Sequence, residues 1–282
     1  MPRPATAPPT EAPARAPRAR RQRVQAAATG VAVLKGLSRL GGRASLTRLA
    51  AHLGESPAKV HRYLISLLEA GLVAQDAVSQ HYYLGAETIQ LGIAAMRQAD
   101  PLRAAEPSLA RLREQLEVTC FVAVMGNKGP TIVRFEEPAL PVTLNVRVGS
   151  VLSLLWSATG RVFLAMTHDG RVEALARAEL EAASAEQRRG LDPRDPIGTL
   201  RTQVRAAGVA TVRDTYLPGV SAVAAPLIDY TGQVRAVLTA LGATGGFDPS
   251  PQGPIARTVR EEAEAVSRSL GYRPQEDAAT AP

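Results

Sequence analysis

The chain has 282 residues, of which 45% are hydrophobic, so it is long enough to bury the cores of two ordinary domains. A single cysteine excludes a disulfide framework, and no apolar run reaches the ~18–20 residues that span a bilayer. The formal net charge of +7 is uneven, because residues 85–282 hold 21 basic against 22 acidic side chains. The positive excess in residues 1–84 indicates a nucleic-acid-binding segment. With no apolar signal segment at the start, we expect a cytoplasmic protein.

The first 84 residues divide into a tail and a small helical domain. Residues 1–23 are rich in Pro, Ala and Arg and have little to bury, so they are predicted to be a disordered basic tail. Their arginines either contact DNA backbone or keep the protein soluble, and both readings stay open. A helix is then predicted from Val24 to Leu40, with Val31, Leu34, Leu37 and Leu40 on its buried side. A second short helix is predicted to be capped by Ser45 and closed by Gly54.

The stretch Ser56–Gly71 predicts a third helix that reads DNA. Ser56 is a good N-cap, Pro57 fits the first helical position, and apolar residues recur at helical spacing from Val60 to Leu68. Any amphipathic surface helix can show a Lys and an Arg. Two helices joined by Gly54-Glu55 and followed by two short strands around 76–80 are, however, typical of a winged helix-turn-helix. The candidate DNA-binding residues are Ser56, Ala58, Lys59, His61, Arg62, Ser66, His81 and Tyr82.

Beyond the wing, residues 85–100 are predicted to form a linker or dimerisation helix, broken at Asp100-Pro101. Residues 101–272 alternate helical and strand patterns, with strands predicted at 118–125, 131–137, 142–148, 209–213, 221–228 and 234–241. This order predicts an α+β domain on a mostly antiparallel sheet, followed by a disordered tail at 273–282.

No enzyme motif is complete in this sequence. The four histidines are scattered, and one cysteine cannot build a zinc site, so we expect neither a metal nor another cofactor. The segment Gly219–Val223 lacks the second glycine of a nucleophile elbow, and Gly242–Gly246 has no following lysine to reach a phosphate. Cys120 lies in an apolar run and is predicted to be a core residue.

In the order and spacing of its motifs, the chain resembles the IclR family of bacterial transcription regulators over about residues 28–272. The resemblance rests on Leu46–Gly54, Val60–Leu64, Ala158–Arg161 and Gly219–Pro226 together with shorter pieces between them. It implies a winged helix-turn-helix joined by a linker helix to a GAF-like effector-binding domain. It also implies a dimer or tetramer on double-stranded operator DNA, with a small-molecule effector that alters operator binding.

The resemblance also places the effector contacts. Carried onto this chain they are Leu144, Val146, Leu154, Thr159, Val220, Ala222, Thr239 and Leu241, with Asp214 nearby. Val212 and Leu241 are apolar where members that bind small acids place polar groups, which favours a larger, aromatic or apolar effector. Each position could instead be plain domain core. The wing turn lacks the glycine usual in the family, and Ala58 stands where the family usually has serine, so this position offers no hydroxyl for a base or phosphate contact.

The sequence therefore predicts a ligand-responsive regulator of a catabolic operon for an aromatic or other small organic acid. The alternative is a constitutive DNA-binding protein whose C-terminal domain only mediates oligomerisation.

Overall fold

The computed structural model describes residues 24–138 and 146–274. Both predicted tails, apart from Arg273 and Pro274, lie outside these ranges, as does Leu144. The chain divides into two compact units, Met1–Arg97 and Gln98–Pro282, which are described separately below. No helix in the described ranges is long and apolar enough to cross a membrane.

The first unit is a set of short helices with a three-stranded sheet. Its elements are α1 (Gln25–Arg39), β1 (Arg43–Ala44), α2 (Leu46–Leu53), α3 (Pro57–Glu69), β2 (Val73–Gln75), β3 (Tyr82–Leu84) and α4 (Ala86–Gln98). The strands are antiparallel in the order β1-β3-β2. The predicted caps are confirmed, since the hydroxyls of Ser45 and Ser56 accept the N–H groups of Arg48 and Lys59, and Gly54 is left-handed with φ 63°.

The core of this unit differs from the prediction at two positions. Val31 is 48% exposed, and Val33 is buried in its place. The rest of the predicted stripe is confirmed, because Leu37 is fully buried and Leu34 and Leu40 pack against the same core. Tyr82 is only 5% exposed and packs among Leu49, Val60 and the other core residues beneath the sheet.

The second unit is built on a five-stranded antiparallel sheet in the order β5-β4-β8-β7-β6. Its elements are α5 (Pro101–Leu116), β4 (Thr119–Gly126), β5 (Gly129–Glu136), α6 (Ala158–Met166), α7 (Gly170–Ala182), α8 (Ala185–Arg188), α9 (Pro196–Ala207), β6 (Ala210–Arg213), β7 (Val220–Ile228), β8 (Val234–Ala243) and α10 (Pro254–Ser269). The predicted antiparallel α+β class is confirmed.

Helices cover both faces of this sheet. One core joins the sheet to α6, α7 and α9 through residues such as Phe121 and Phe163, and the other joins it to α5 and α10 through residues such as Leu109 and Val259. Alternate side chains of β4 pack into the two cores, because successive side chains of a strand point to opposite faces of the sheet. Of the strand predicted at 142–148, the described residues 146–148 are not strand, and α8 was not predicted.

Candidate DNA interface and effector pocket

The outer face of α3 carries the side chains that the sequence singled out. Ala58, His61, Arg62 and Ser66 are exposed, while Val60 and Leu64 hold the opposite face in the core. Ser56 is also exposed, but its hydroxyl accepts the N–H of Lys59 as the helix cap. A helix fixed in this way presents one polar face with Arg62 near its middle.

The two cations of this face are in different electrostatic situations. The ammonium of Lys59 lies 2.6 Å from the Glu55 carboxylate, one turn earlier in the chain, so much of its charge is already paired. Arg62 makes no ion pair with any acid in the described ranges. Arg62 is therefore the stronger candidate for a contact with a base or a phosphate.

The wing corrects the prediction at Tyr82. Because Tyr82 packs in the core, it supports the wing and does not offer its ring to DNA. His81 is half-buried, and its Nδ1 is buried without a hydrogen-bond partner among the described residues. Sequence reasoning did not include two further exposed cations of this unit, Arg48 in the first turn of α2 and Arg43 on β1. The strand β1 has only two residues, so no alternating pattern could reveal it in the sequence.

Six of the predicted effector positions meet in one pocket of the second unit. Thr159 comes from α6, Val220 and Ala222 from β7, and Thr239 and Leu241 from β8, while Val146 closes one side. The wall is completed by Val212, whose apolar character the sequence analysis had used, and by residues that it did not include: Phe121, Leu152, Ser157, Ala158, Tyr216 and Leu217. No charged side chain of the described residues lines this pocket. Its wall is apolar with a few hydroxyl groups.

The polar centre of the pocket is a pair of threonines. The Thr159 and Thr239 hydroxyl oxygens lie 2.9 Å apart, and both side chains are buried. Ser157, at the pocket edge, uses its hydroxyl to accept the Gly160 N–H as the cap of α6. The threonine hydroxyls are thus the groups placed to exchange their mutual bond for one to a ligand.

The pocket is narrow. Its cavity is about 30 Å³, which has room for about two water molecules. Tyr216 and Leu217 lie on the loop between β6 and β7 and form part of the wall. An effector larger than this cavity therefore requires wall residues to move.

Two predicted effector residues lie elsewhere. Leu154 is fully buried in the core, and its backbone N–H donates to the Glu179 carboxylate, so it does not line the pocket. Asp214 also turns away from the pocket. One of its carboxylate oxygens accepts the Gly219 N–H and the Thr244 hydroxyl, both at 2.8 Å, and it holds the ends of the loop that carries Tyr216.

A larger groove of about 830 Å³ lies at the other end of α6. Its cations are paired nearby, Arg171 with Asp169 and Arg235 with Asp229. It contains none of the predicted effector positions. The predicted effector positions therefore fall in the small apolar pocket and not in this larger groove.

Two titratable side chains of the second unit, Cys120 and Arg161, have pKa values shifted by burial. Burial raises the pKa of the Cys120 thiol to about 12, so it is not a nucleophile at neutral pH, and its predicted place in the core is confirmed. Burial lowers the pKa of Arg161 to about 10, and its guanidinium donates to the carbonyls of Leu155 and Thr211. In residues 24–138 and 146–274, His, Cys, Asp and Glu form no cluster of three that could hold a metal ion.

Together, the helix-turn-helix with its wing and the separate pocketed α+β domain define a DNA-binding regulator with a ligand-binding module. The chain matches the IclR helix-turn-helix domain over residues 26–77 and the bacterial transcriptional regulator IclR C-terminal domain over residues 93–268. It belongs to the IclR family, whose members are transcriptional regulators and not enzymes.

Known relatives agree with this assignment. The crystal structure of Pseudomonas aeruginosa HmgR is 40% identical and superposes with a TM-score of 0.80, over 88% of this chain and 99% of that one. The HTH-type transcriptional regulator BhcR of Paracoccus denitrificans is 26% identical over 83% of this chain and 82% of its own length. The Pca regulon regulatory protein of Pseudomonas putida is 28% identical over 75% and 72%, respectively.

Proposed function

We propose that this regulator controls a catabolic operon and that its effector is an aromatic acid or a similar apolar organic acid. The observation that carries this proposal is the pocket wall, in which apolar and aromatic side chains surround the Thr159–Thr239 hydroxyl pair. Such a wall favours a flat apolar ligand oriented by a few polar groups. The similarity to a regulator named for the Pca regulon and to HmgR supports a role of this kind.

The DNA-binding role is proposed for the outer face of α3. Two copies of residues 24–84 in a dimer would place two α3 helices in successive major grooves of a pseudo-palindromic operator, about one helical turn apart. Arg62 and Lys59 would contact base edges or nearby phosphates. Ser56, His61 and the half-buried His81 would contact the DNA backbone and so position the protein on the duplex. Since the operator is chromosomal DNA, the protein would act in the cytoplasm.

The linker helix offers a surface for the dimer. On α4, Ile89, Leu91 and Met96 are exposed, and none of the helix's residues is buried in the isolated chain. Ile89 and Met96 lie on the same face of the helix, and an exposed apolar stripe of this kind favours a protein interface. We assign residues 85–100 to this dimerisation segment and 101–272 to the effector domain. In a dimer or tetramer, effector binding would favour one assembly geometry over another, which requires different affinities for the two states.

A thermal-shift panel tests the effector. Benzoate, phenylacetate and their ring-hydroxylated forms are compared with acetate and pyruvate at millimolar concentrations. We expect an aromatic acid to raise the melting temperature of the wild-type protein and not that of Thr239→Leu or Thr159→Val. If no compound raises it, the constitutive alternative, in which the second domain only mediates oligomerisation, is favoured. A shift with the aliphatic acids alone would contradict the aromatic assignment.

A further inference from the structure

The wing turn between β2 and β3 is held rigidly by one carboxylate. One oxygen of Asp76 accepts the N–H groups of Val78 and Ser79 at 3.2 and 2.7 Å, and the Ser79 hydroxyl at 2.8 Å. The Asp76 backbone bonds to His81 and Gln80, both at 2.9 Å. The Ser79 N–H and hydroxyl, with Arg43 nearby, lower the pKa of Asp76, so it is ionised at neutral pH.

Arg43 reaches this turn from the neighbouring strand. β1 pairs with β3 so that Arg43 lies opposite Tyr83, which brings its guanidinium beside the wing. Its Nη2 donates to the Ser79 hydroxyl at 2.8 Å and lies 3.3 Å from the other Asp76 oxygen. Both partners are partly exposed, so the pair adds little to folding stability.

The charge of the wing matters because DNA is an array of phosphates. Asp76 is the one acidic residue in the sequence between 73 and 84, and a bare carboxylate there would repel the operator. The tip itself carries Val78, which is 94% exposed, and no charged side chain. With the carboxylate neutralised, the wing can approach a groove without a charge penalty.

We propose that Arg43 is a positioning residue that neutralises and orients Asp76, so that the wing presents an uncharged tip to operator DNA. This inference rests on the proposed DNA-binding role of the first unit. A direct phosphate contact by Arg43 would make a different prediction, because such a contact would be lost whether or not Asp76 keeps its charge.

A double-mutant cycle separates the two roles. Arg43→Gln, Asp76→Asn and the double variant are titrated by fluorescence anisotropy, at several salt concentrations, against a duplex that the wild-type protein selects from a randomised library. Asparagine keeps the oxygen that accepts the turn's N–H groups, so the wing can still form. We expect Arg43→Gln to bind about threefold to tenfold more weakly, because it exposes the carboxylate.

The double variant decides the question. We expect its affinity to return to within about twofold of wild type and its salt slope to match wild type, because the net charge of the wing is restored. Asp76→Asn should bind at least as tightly as wild type. A double variant as weak as Arg43→Gln, an unaffected Arg43→Gln, or a weakened Asp76→Asn would each overturn the proposal.

Two controls keep the result interpretable. Arg171→Gln removes another exposed arginine, paired with Asp169 in the second unit, and should leave DNA affinity unchanged. Melting temperatures confirm that each variant is folded. If the wild-type protein selects no duplex over random DNA, the proposed function itself fails. If it does select one and the double variant is not restored, only the role of Arg43 fails.

Discussion

The hydroxyl oxygen of Thr159 on α6 lies 2.9 Å from that of Thr239 on β8, across 80 residues of sequence. Both side chains are 1% exposed. This bond joins the first turn of a helix to the centre of the sheet at the wall of the candidate effector pocket. A ligand that hydrogen-bonds to either hydroxyl would compete with it, so the pair would connect ligand binding to the packing of α6 on the sheet.

The pair should behave as a coupled unit in folding. Thr159→Val or Thr239→Val alone leaves the other hydroxyl buried without its partner, and each should lower the free energy of unfolding by about 1–3 kcal/mol. The double variant removes both hydroxyls and should be less destabilised than the sum of the two. Urea denaturation of the four proteins measures this coupling. Strictly additive losses would show that the hydroxyls do not interact.

Arg62 should dominate the polar face of α3 in DNA binding. Arg62→Ala should weaken specific binding by about 1–3 kcal/mol if the guanidinium contacts a base. Lys59→Ala should have a smaller effect, because Glu55 already pairs with the Lys59 ammonium. Gel-shift titration of a selected duplex compares the two variants. Unchanged binding by Arg62→Ala would remove this residue from the interface.

Glycine is required at position 160 because the backbone of Ser153 passes close to its Cα, next to the pocket residue Thr159. A Cβ at this position would overlap the backbone carbonyl of Ser153, which cannot move aside as a flexible side chain could. Gly160→Ala should therefore destabilise the second unit by about 3 kcal/mol or more. Gly245→Ala is the matched control, since its Cβ would meet no atom within 4 Å. Equal melting temperatures for the two variants would contradict this assignment.

Asp229 should make stability depend on pH. Burial tends to raise its pKa, but hydrogen bonds from Thr231, Arg235 and Gln233 outweigh burial and lower it. Because the folded pKa lies below the unfolded value of about 3.9, the stabilisation is complete above that value and is lost as the pH falls through the folded pKa. Asp229→Asn should thus be less stable than wild type at pH 7, with the difference shrinking in acid. A difference that does not change with pH would refute this account.

Local signals predicted the helices of the first unit well. Ser45, Ser56 and Pro57 mark helix starts through backbone chemistry that depends on neighbouring residues only. The buried side of α3 was also predicted correctly, and in α1 the prediction was wrong only at Val31. Val31 and Val33 lie two positions apart, and only packing against the other helices selects between them. Tyr82 similarly points inward because of the pairing of β3 with two short strands.

The pocket was predicted only in part because it depends on sheet register. Thr159, Thr239 and four apolar positions follow from the family resemblance. Phe121 was missed, although it lies directly opposite Thr239 in the β4–β8 pairing, because that register exists only once the sheet has formed. Tyr216 comes from a loop without periodicity, and Asp214, the most polar candidate, bonds to the loop instead of the pocket.

The most direct test of ligand-controlled DNA binding is one anisotropy titration. The selected operator duplex is titrated with wild-type protein and with Thr239→Leu, with and without the aromatic acid that gives the largest thermal shift. We predict that the acid changes the operator Kd of the wild-type protein by at least about fivefold. Thr239→Leu should show no change in its operator Kd when the acid is added. A wild-type protein that binds the acid but keeps the same operator Kd would contradict the account.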